Sequence, residues 1–318
     1  GFLIDTIGWR WIFYINLPIG IWGAYLAWRV MEETRVDQKE VEIDFLGAFL
    51  LFLTTSLLIY AMNQLPHFGW SHPTFILATA ISCAALALLV ITELKTKTPI
   101  VSFSLFRNRL FSSSMLSLFF ITSTQSAIGF LMPFYLQNIM GFSPSQMGWI
   151  IIAGSVVIVM VAPIAGWLSD RLGSRLLCTV GSGLIVIGQF FIASLDQSSS
   201  IQRIIFPFLL SGLGWAIFNS PNQSAILGSV PMDKAGAASG MTATTARTGG
   251  AMGIALSTTL FTYGLSSAGL SPSQIESPES WSASPELFVR SFNHAVQMIN
   301  FLTLLSVFFS AVRGAKRG

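Results

Sequence analysis

One arginine lies inside an otherwise small and apolar stretch of the chain. The stretch, TATTARTGGAMGIALS, runs from Thr242 to Ser257, and Arg247 is its only charged residue. A guanidinium at the centre of a membrane helix costs about 2.5 to 3.5 kcal/mol on insertion scales, so it needs a bundle interior or water to face. Arg247 is expected roughly seven residues into its helix, about 10 Å from the helix end. We therefore expect it to face the bundle, either as a structural cation or as a charge in a cavity.

Further polar side chains recur at helical spacing in neighbouring apolar runs. Trp215 and Asn219 are followed by Asn222 or Gln223 at intervals that place them on one face of a helix. Gln125 is an amide in the middle of another run. Such amides either contact a bound molecule or form hydrogen bonds between helices, and the sequence leaves both interpretations open. The candidate cavity residues are Gln125, Trp215, Asn219, Asn222, Gln223 and Arg247.

These residue types favour binding over catalysis. The three histidines show no metal-ligand spacing, and no paired carboxylates occur within the apolar runs. Cys83 and Cys178 fall inside separate runs, which predicts two buried thiols rather than a disulfide. The sequence therefore predicts no catalytic residues, no metal and no cofactor, and we do not expect an enzyme.

The composition places the chain in a lipid bilayer. It is 53% hydrophobic and only 10% charged, with a mean hydropathy of +0.68, whereas roughly one quarter of the residues in soluble domains are charged. The apolar runs are continuous rather than alternating, which indicates helices rather than a β-barrel. We expect an all-α membrane protein, a helical bundle with nine transmembrane helices. The expected spans are 12–31, 45–63, 73–92, 113–136, 146–167, 176–195, 203–228, 241–264 and 294–313.

The basic residues predict the orientation of the chain. Of the seventeen Lys and Arg, thirteen lie in one alternating set of loops, three lie in the other set, and the last is Arg247. Because short cytoplasmic loops carry the excess of Lys and Arg, the richer set is expected to be cytoplasmic, with the carboxy terminus inside. The net charge of +3 follows the same rule, and nothing in the sequence suggests a nucleic-acid partner.

Two stretches carry distinctive motifs. The opening, GFLIDTIGWRWIFYINLPIG, combines interfacial tryptophans with Asp5 and Arg10, which could pair across an extracytoplasmic turn. The second, GWLSDRLGSR, lies in a short loop on the expected cytoplasmic side. In the second motif Gly166 permits close helix approach, Asp170 could cap a helix or take a cation, and Gly173 allows a left-handed turn. The candidate residues are Asp5, Trp9, Arg10, Asn16 and Pro18 in the opening, and Gly166, Asp170, Arg171, Gly173 and Arg175 in the loop.

Both motifs resemble those of the 14-helix drug:proton antiporters of the major facilitator superfamily, the EmrB/QacA type. The opening is similar to the signature that closes their fifth helix and opens their sixth. The loop fits the superfamily pattern G-x-L-x-D-R-x-G-x-R, which implies a latch that closes the cytoplasmic side. Arg247 with Gly249 and Gly250 is similar to an Arg-x-x-Gly-Gly-like pattern of the family.

The resemblance implies a division of the chain and a function. Residues 1–31 would end an amino-terminal bundle, residues 32–109 would hold a two-helix insert with its linkers, and residues 110–318 would form a six-helix bundle. The implied function is proton-coupled efflux of drugs or small molecules by alternating access, in a bacterial inner membrane. The alternative is a dedicated metabolite or siderophore exporter. The expected partners are the bilayer, protons, an amphipathic substrate that could be cationic, and a periplasmic adaptor protein if the host has an outer membrane.

The acidic residues suggest where proton coupling does not lie. All fourteen Asp and Glu fall in expected loops or at helix ends, whereas a coupling carboxylate belongs within the bundle. The chain opens with Gly1 rather than Met, on the expected extracytoplasmic side. We therefore expect a carboxy-terminal fragment, whose coupling carboxylate lies in upstream helices.

Overall fold

The computed structural model describes residues 2–30, 44–68, 71–96, 102–275, 281 and 283–314, and every regular element in them is helical. The linker expected from Glu32 to Asp44 lies outside the described residues except for Asp44 itself. A single turn of π-helix, Tyr135–Ile139, continues α6. The helices are α1 Phe2–Ile7, α2 Trp11–Tyr14, α3 Asn16–Val30, α4 Phe45–Phe68, α5 Pro73–Glu93, α6 Arg109–Phe134, α7 Pro144–Leu172, α8 Ser174–Ile192, α9 Ile201–Gly228, α10 Ala235–Ser267, α11 Pro272–Ile275 and α12 Pro285–Val312.

Polar residues fix several helix starts. Asp44 caps α4, as the sequence predicts, because its carboxylate accepts a 2.7 Å hydrogen bond from the backbone amide of Gly47. At α7 the Ser143 hydroxyl accepts from the amide of Gln146, while the Gln146 side chain accepts from the Ser143 amide. This reciprocal pair is a capping box, which satisfies two amides that a helix start leaves without partners.

Seven helices of the described residues are long and apolar enough to cross a membrane. They are α4, α5, α6 with its π-turn, α7, α8, α9 and α12. The expected count of nine is therefore not confirmed. In place of the span 12–31 the structure has α2 and the 15-residue α3. In place of 241–264 it has α10, whose 33 residues are long enough but rich in Gly, Ala, Ser and Thr.

Two helices begin earlier than the sequence predicts. α10 starts at Ala235 rather than near 241, and α12 starts at Pro285 rather than near 294. Small and polar residues in these added turns lower the hydropathy, so an apolar-run criterion stops short of the helix. As a result Arg290 and His294 lie within α12, and the expected loop 265–293 is shorter than predicted.

Helices α6 to α10 and α12 pack against one another, while α4 and α5 form a pair whose α4 also packs against α10. The expected division into domains stays a prediction. Glycines allow the closest approaches: a Cβ atom placed on Gly181 of α8 would lie 2.6 Å from the carbonyl oxygen of Gly214 in α9. Polar side chains join helices elsewhere, since the Ser306 hydroxyl of α12 donates to the carbonyl oxygen of Ser117 in α6 at 3.0 Å.

Candidate functional site

A cavity of about 470 Å³ opens between α6, α9 and α10. It brings together three candidates from the sequence, with Gln125 on α6, Trp215 on α9 and Arg247 on α10. We call this space the central cavity. The complete lining consists of Thr122, Gln125, Ser126, Trp215, Ala243, Ala246 and Arg247. Its volume lies within the range of about 300 to 1,000 Å³ that small-molecule sites occupy.

Arg247 lies deeper in its helix than the sequence predicts. It is the thirteenth of the 33 residues of α10, about 18 Å from the start of the helix at 1.5 Å per residue. The expected depth of about 10 Å was wrong because α10 begins six residues before the apolar run. The side chain is exposed, and it lines the cavity rather than the packed interior.

Glycines of α10 hold α10 close to α6 beside the cavity. A Cβ atom on Gly249 would lie 2.7 Å from the carbonyl oxygen of Phe119, and one on Gly250 would lie 2.8 Å from the hydroxyl of Ser126. A Cβ atom on Gly253 would collide with the carbonyl group of Ser123. The Gly249 and Gly253 pair is thus a packing seam, as the sequence predicts.

Asn222 is not a cavity residue, which corrects the prediction from spacing. Its side chain is fully buried, and its amide nitrogen donates to the carbonyl oxygen of Ser114 at 3.3 Å. Its amide oxygen accepts a 3.0 Å hydrogen bond from the Arg313 guanidinium. Asn219 and Gln223 are half-buried, and neither lines the central cavity. The polar face of α9 is therefore divided between cavity and core.

Arg313 is a buried charge that the sequence placed in a cytoplasmic loop. Arg313 is 1% exposed. Its guanidinium donates hydrogen bonds to Asn222 on α9 and, at 3.1 Å, to the hydroxyl of Ser310. No nitrogen or oxygen atom of the described residues accepts a hydrogen bond from its Nε or Nη1 atom, and the Cys178 thiol interacts with the guanidinium. Burial lowers the pKa of its guanidinium from the usual value. No signal in the sequence separates Arg313 from the other basic residues that follow an apolar run.

The GWLSDRLGSR motif is helical except at Gly173, so the prediction of a loop is wrong: the motif ends α7 at Leu172 and begins α8 at Ser174. Gly173 has a φ of +78°, in the left-handed region that favours glycine. Gly166 lies against α9, where a Cβ atom would be 3.1 Å from the Ser220 hydroxyl. Asp170 lies in the last turn of α7, so of its two expected roles the cap of a helix start is wrong, and the pairing with a cation stays a prediction.

The charged residues of this motif, Asp170, Arg171 and Arg175, are all exposed. The guanidinium of Arg171 lies 4.0 Å over the ring of Trp167, an attractive cation–π arrangement. Within the described residues, neither Asp170 nor Arg175 forms an ion pair. Both therefore remain accessible to a partner that lies outside the described bundle.

The opening signature contacts the start of α7 through Asp5. The carboxylate of Asp5 accepts a 2.9 Å hydrogen bond from the backbone amide of Ser145 and a second bond from the Ser145 hydroxyl. The expected pairing of Asp5 with Arg10 is therefore wrong. A carboxylate is attracted to the free amides at the start of α7, while the Arg10 guanidinium lies 5.2 Å from the centre of the Trp9 ring.

The remaining signature residues have local roles. Asn16 begins α3, and its side-chain amide donates to the carbonyl oxygen of Ile12 at 2.7 Å. Pro18 lies in the first turn of α3, where a missing backbone amide costs no hydrogen bond. Every side chain from Trp11 to Val30 is exposed in the described structure.

A second cavity, of about 1,140 Å³, lies at the end of the bundle that holds the α8–α9 connection. Its charged lining comprises Asp196, Glu286 and Arg290, with His294 beside them. Hydrogen bonds from the side chain and backbone of Ser198 lower the pKa of Asp196, which also pairs with Arg203 at 3.0 Å. The sequence missed this cavity because it assigned Glu286 and Arg290 to a loop.

No metal site is found in the part of the chain that the structure describes. No group of three or more His, Cys, Asp or Glu side chains lies close enough there to hold an ion. Cys178 is buried, whereas Cys83 is exposed, so the prediction of two buried thiols is right for Cys178 alone.

Comparison with known proteins identifies the family. The profile described as Major Facilitator Superfamily matches residues 1–254. Over 265 residues the chain is 30% identical to the riboflavin transporter RibZ of Clostridioides difficile, covering 83% of this chain and 57% of that protein. It is 27% identical to the multidrug resistance protein Stp of Mycobacterium tuberculosis, covering 80% of this chain and 47% of Stp. It is 25% identical to the quinolone resistance protein NorB of Staphylococcus aureus, covering 81% and 56%.

The chain spans about half the length of the curated relatives it matches. Its seven membrane-spanning candidates and its transporter relatives make it a multi-pass membrane protein. The chain belongs to the Major Facilitator Superfamily, and the relatives named here are transporters or resistance proteins rather than enzymes.

Proposed function

We propose that the chain is part of a proton-coupled exporter of drugs or other small molecules. The observation that carries the proposal is the central cavity, where Gln125, Trp215 and Arg247 from three helices face one space. An aromatic ring, an amide and a charge that converge on a cavity are typical of a ligand site. The names of the relatives Stp and NorB, a multidrug and a quinolone resistance protein, support export as the direction.

In this proposal the transporter works by alternating access. Two helical bundles rock around a site near the middle of the membrane, so that the site opens to one side at a time. The helices α6, α9 and α10 supply one wall of that site. The seam of Gly249 and Gly253 keeps α10 tightly packed on α6, so the wall moves as one body with its bundle.

Two surface features would control opening in this scheme. Asp5 ties α1 to the start of α7, which would hold the extracytoplasmic side together. The exposed Asp170 at the opposite end of α7 and Arg175 at the start of α8 would act as the cytoplasmic latch that the resemblance implies, by pairing with a second bundle. We place the protein in a bacterial inner membrane with its carboxy terminus inside. The 14-helix subtype, and a periplasmic adaptor where the host has an outer membrane, belong to the same proposal.

The coupling carboxylate would lie in another part of the transporter. Every acidic side chain that the structure describes lies in a connection or within three residues of a helix end. A group that exchanges protons with both sides of the membrane belongs within the bundle, where burial brings its pKa towards the working range. The matched residues cover 49% and 47% of two of the relatives, which leaves room in a longer protein for further helices that carry this acid.

A second candidate function is export of one dedicated metabolite. It is favoured by the 30% identity to a protein named as a riboflavin transporter. The same cavity residues would then recognise one compound rather than many. A panel of unrelated aromatic compounds distinguishes the candidates, because a dedicated exporter moves a single member of the panel.

Growth and accumulation assays test the proposed function. Cells that lack their own exporters would express the full-length protein, its Arg247→Ala and Arg247→Lys variants, and a matched Arg203→Ala control. Arg203 is exposed and lines no part of the central cavity. We expect the wild type and Arg203→Ala to lower intracellular drug, Arg247→Ala to lose export, and Arg247→Lys to retain part of it. Full export by a normally expressed Arg247→Ala protein would refute a cavity role for the arginine.

A further inference from the structure

The central cavity carries one formal charge, and that charge is positive. Apart from Arg247 its lining consists of two hydroxyls, one amide, the Trp215 indole and two alanines. Among the residues that the structure describes, none that lines it is acidic. The electrostatic character of this half of the site is therefore set by one guanidinium.

Arg247 has no partner within the described structure. It forms neither a hydrogen bond nor an ion pair with any described residue, and its side chain is exposed to the cavity. Arg313 behaves differently, because Asn222 and Ser310 accept its hydrogen bonds in the packed core. The bundle thus holds Arg313 against neutral acceptors, whereas it leaves Arg247 facing the open space.

The lining of the central cavity matches the chemistry of an amphipathic aromatic anion. A guanidinium presents paired donors that match a carboxylate, and such charged pairs are stronger than neutral hydrogen bonds. The Trp215 indole offers a flat surface for an aromatic ring, and Gln125 and Thr122 offer neutral hydrogen-bonding groups beside it. The seven side chains together form a positive, aromatic and hydroxyl-lined surface.

We propose that the central cavity selects planar aromatic compounds that carry a carboxylate, with Arg247 as the residue that binds the carboxylate. This inference rests on the proposed function and specifies its substrate class. It replaces the cationic preference considered from the sequence, because a positive guanidinium without a neighbouring acid repels a cationic drug at this site. Arg247 determines specificity here and takes no part in proton transfer.

A matched pair of ligands tests the proposal. The pair consists of a fluorescent aromatic carboxylic acid and its primary amide, which have nearly the same shape but differ in charge. Binding of each to the purified full-length protein would be measured at neutral pH, together with export of each from vesicles. Because hydrogen bonds to a charged group are stronger than those between neutral groups, the acid should bind wild type about tenfold more tightly than the amide.

Three variants locate the preference at Arg247. In Arg247→Gln the acid-to-amide affinity ratio should fall to about one, with binding of the amide changed less than about twofold. Ala243 lies one turn from Arg247 and is exposed to the cavity, so Ala243→Asp should pair with the arginine and lower acid binding alone. Ala243→Asn, which adds the same bulk without the charge, should keep the wild-type acid-to-amide ratio even where the added bulk weakens binding of both ligands. The Ala243 pair keeps the test valid if Arg247→Gln does not fold.

The outcomes separate this inference from the proposed function. An unchanged acid-to-amide ratio in both Arg247→Gln and Ala243→Asp, or tighter wild-type binding of a cationic analogue, would overturn the anion site and leave proton-coupled export standing. Acid binding that depends on Arg247 but is never accompanied by export would support the anion site and refute the proposed function.

Discussion

The guanidinium of Arg313 and the side chain of Asn222 form a 3.0 Å hydrogen bond between α9 and the end of α12, 91 residues apart in the chain. Both side chains are buried. An isolated buried charge is costly, so this bond and the one to Ser310 stabilise the closure of the bundle at that end. Asn222, which its spacing predicts to contact substrate, therefore has a structural role instead.

Asn222→Ala should destabilise the protein, because it leaves the Arg313 charge with one fewer partner. We expect a loss of about 2 to 3 kcal/mol in the free energy of unfolding, measured as a shift in the thermal unfolding midpoint in detergent. Asn219→Ala is the matched control on the same helix, and its half-buried position predicts a small shift. Asn222→Asp should retain most of the stability by pairing with the guanidinium. Equal shifts for Asn222→Ala and Asn219→Ala would contradict the structural position of Asn222.

Gly253→Ala should separate α10 from α6. The added methyl group would meet the backbone carbonyl of Ser123, which cannot move aside as a flexible side chain can. Overpacking of this kind costs about 1 to 3 kcal/mol or more. Gly240→Ala provides the control, because it lies in the same helix with nothing within 4 Å of the added atom. We expect unfolding at lower temperature for Gly253→Ala only, and similar midpoints for the two variants would argue against the seam.

Asp5 and Ser145 should be energetically coupled. A double-mutant cycle with Asp5→Ala and Ser145→Ala removes the carboxylate, the hydroxyl and then both groups. Because the carboxylate accepts from the hydroxyl as well as from the amide of Ser145, we expect a coupling energy of about 0.5 to 1 kcal/mol in thermal unfolding. Additive effects of the two substitutions would show that the contact does not hold α1 against α7.

Leu172 and Ser198 should face opposite sides of the membrane. Both are exposed and lie at opposite ends of the bundle, Leu172 at the end of α7 and Ser198 in the α8–α9 connection. In a background with Cys83 replaced by alanine, a cysteine at Ser198 should react with a membrane-impermeant reagent added outside intact cells. A cysteine at Leu172 should react only after the cells are opened. Labelling of Leu172→Cys from outside would reverse the orientation predicted by the basic residues.

The sequence predicts the elements of this fold well where local chemistry determines them. Asp44 caps α4 and Gly173 takes a positive φ as expected, because capping and backbone freedom depend on one or two residues. Helix starts were less predictable at α10 and α12, where small and polar residues continue a helix beyond the apolar run. Packing against neighbouring helices stabilises these turns, and the hydropathy of a sequence does not measure that stabilisation.

The candidate site shows the same division between local and long-range information. Helical spacing correctly places Trp215 and Asn222 on similar faces of α9, seven residues apart. About 10 Å along the helix axis, however, that face passes from the open cavity to a packed region closed by Ser114 and Arg313. Those partners lie 108 and 91 positions away in the chain, so no local pattern could have distinguished the two residues.

Substrate-dependent proton movement in proteoliposomes tests the central claim most directly. The full-length protein would be reconstituted into vesicles with an acidic interior and an enclosed pH-sensitive dye, and substrate would be added outside. We predict that substrate accelerates loss of the pH gradient while it accumulates inside, in wild type and in Arg203→Ala but not in Arg247→Ala. Substrate accumulation that is unaffected when an ionophore collapses the pH gradient would contradict a proton-coupled exporter.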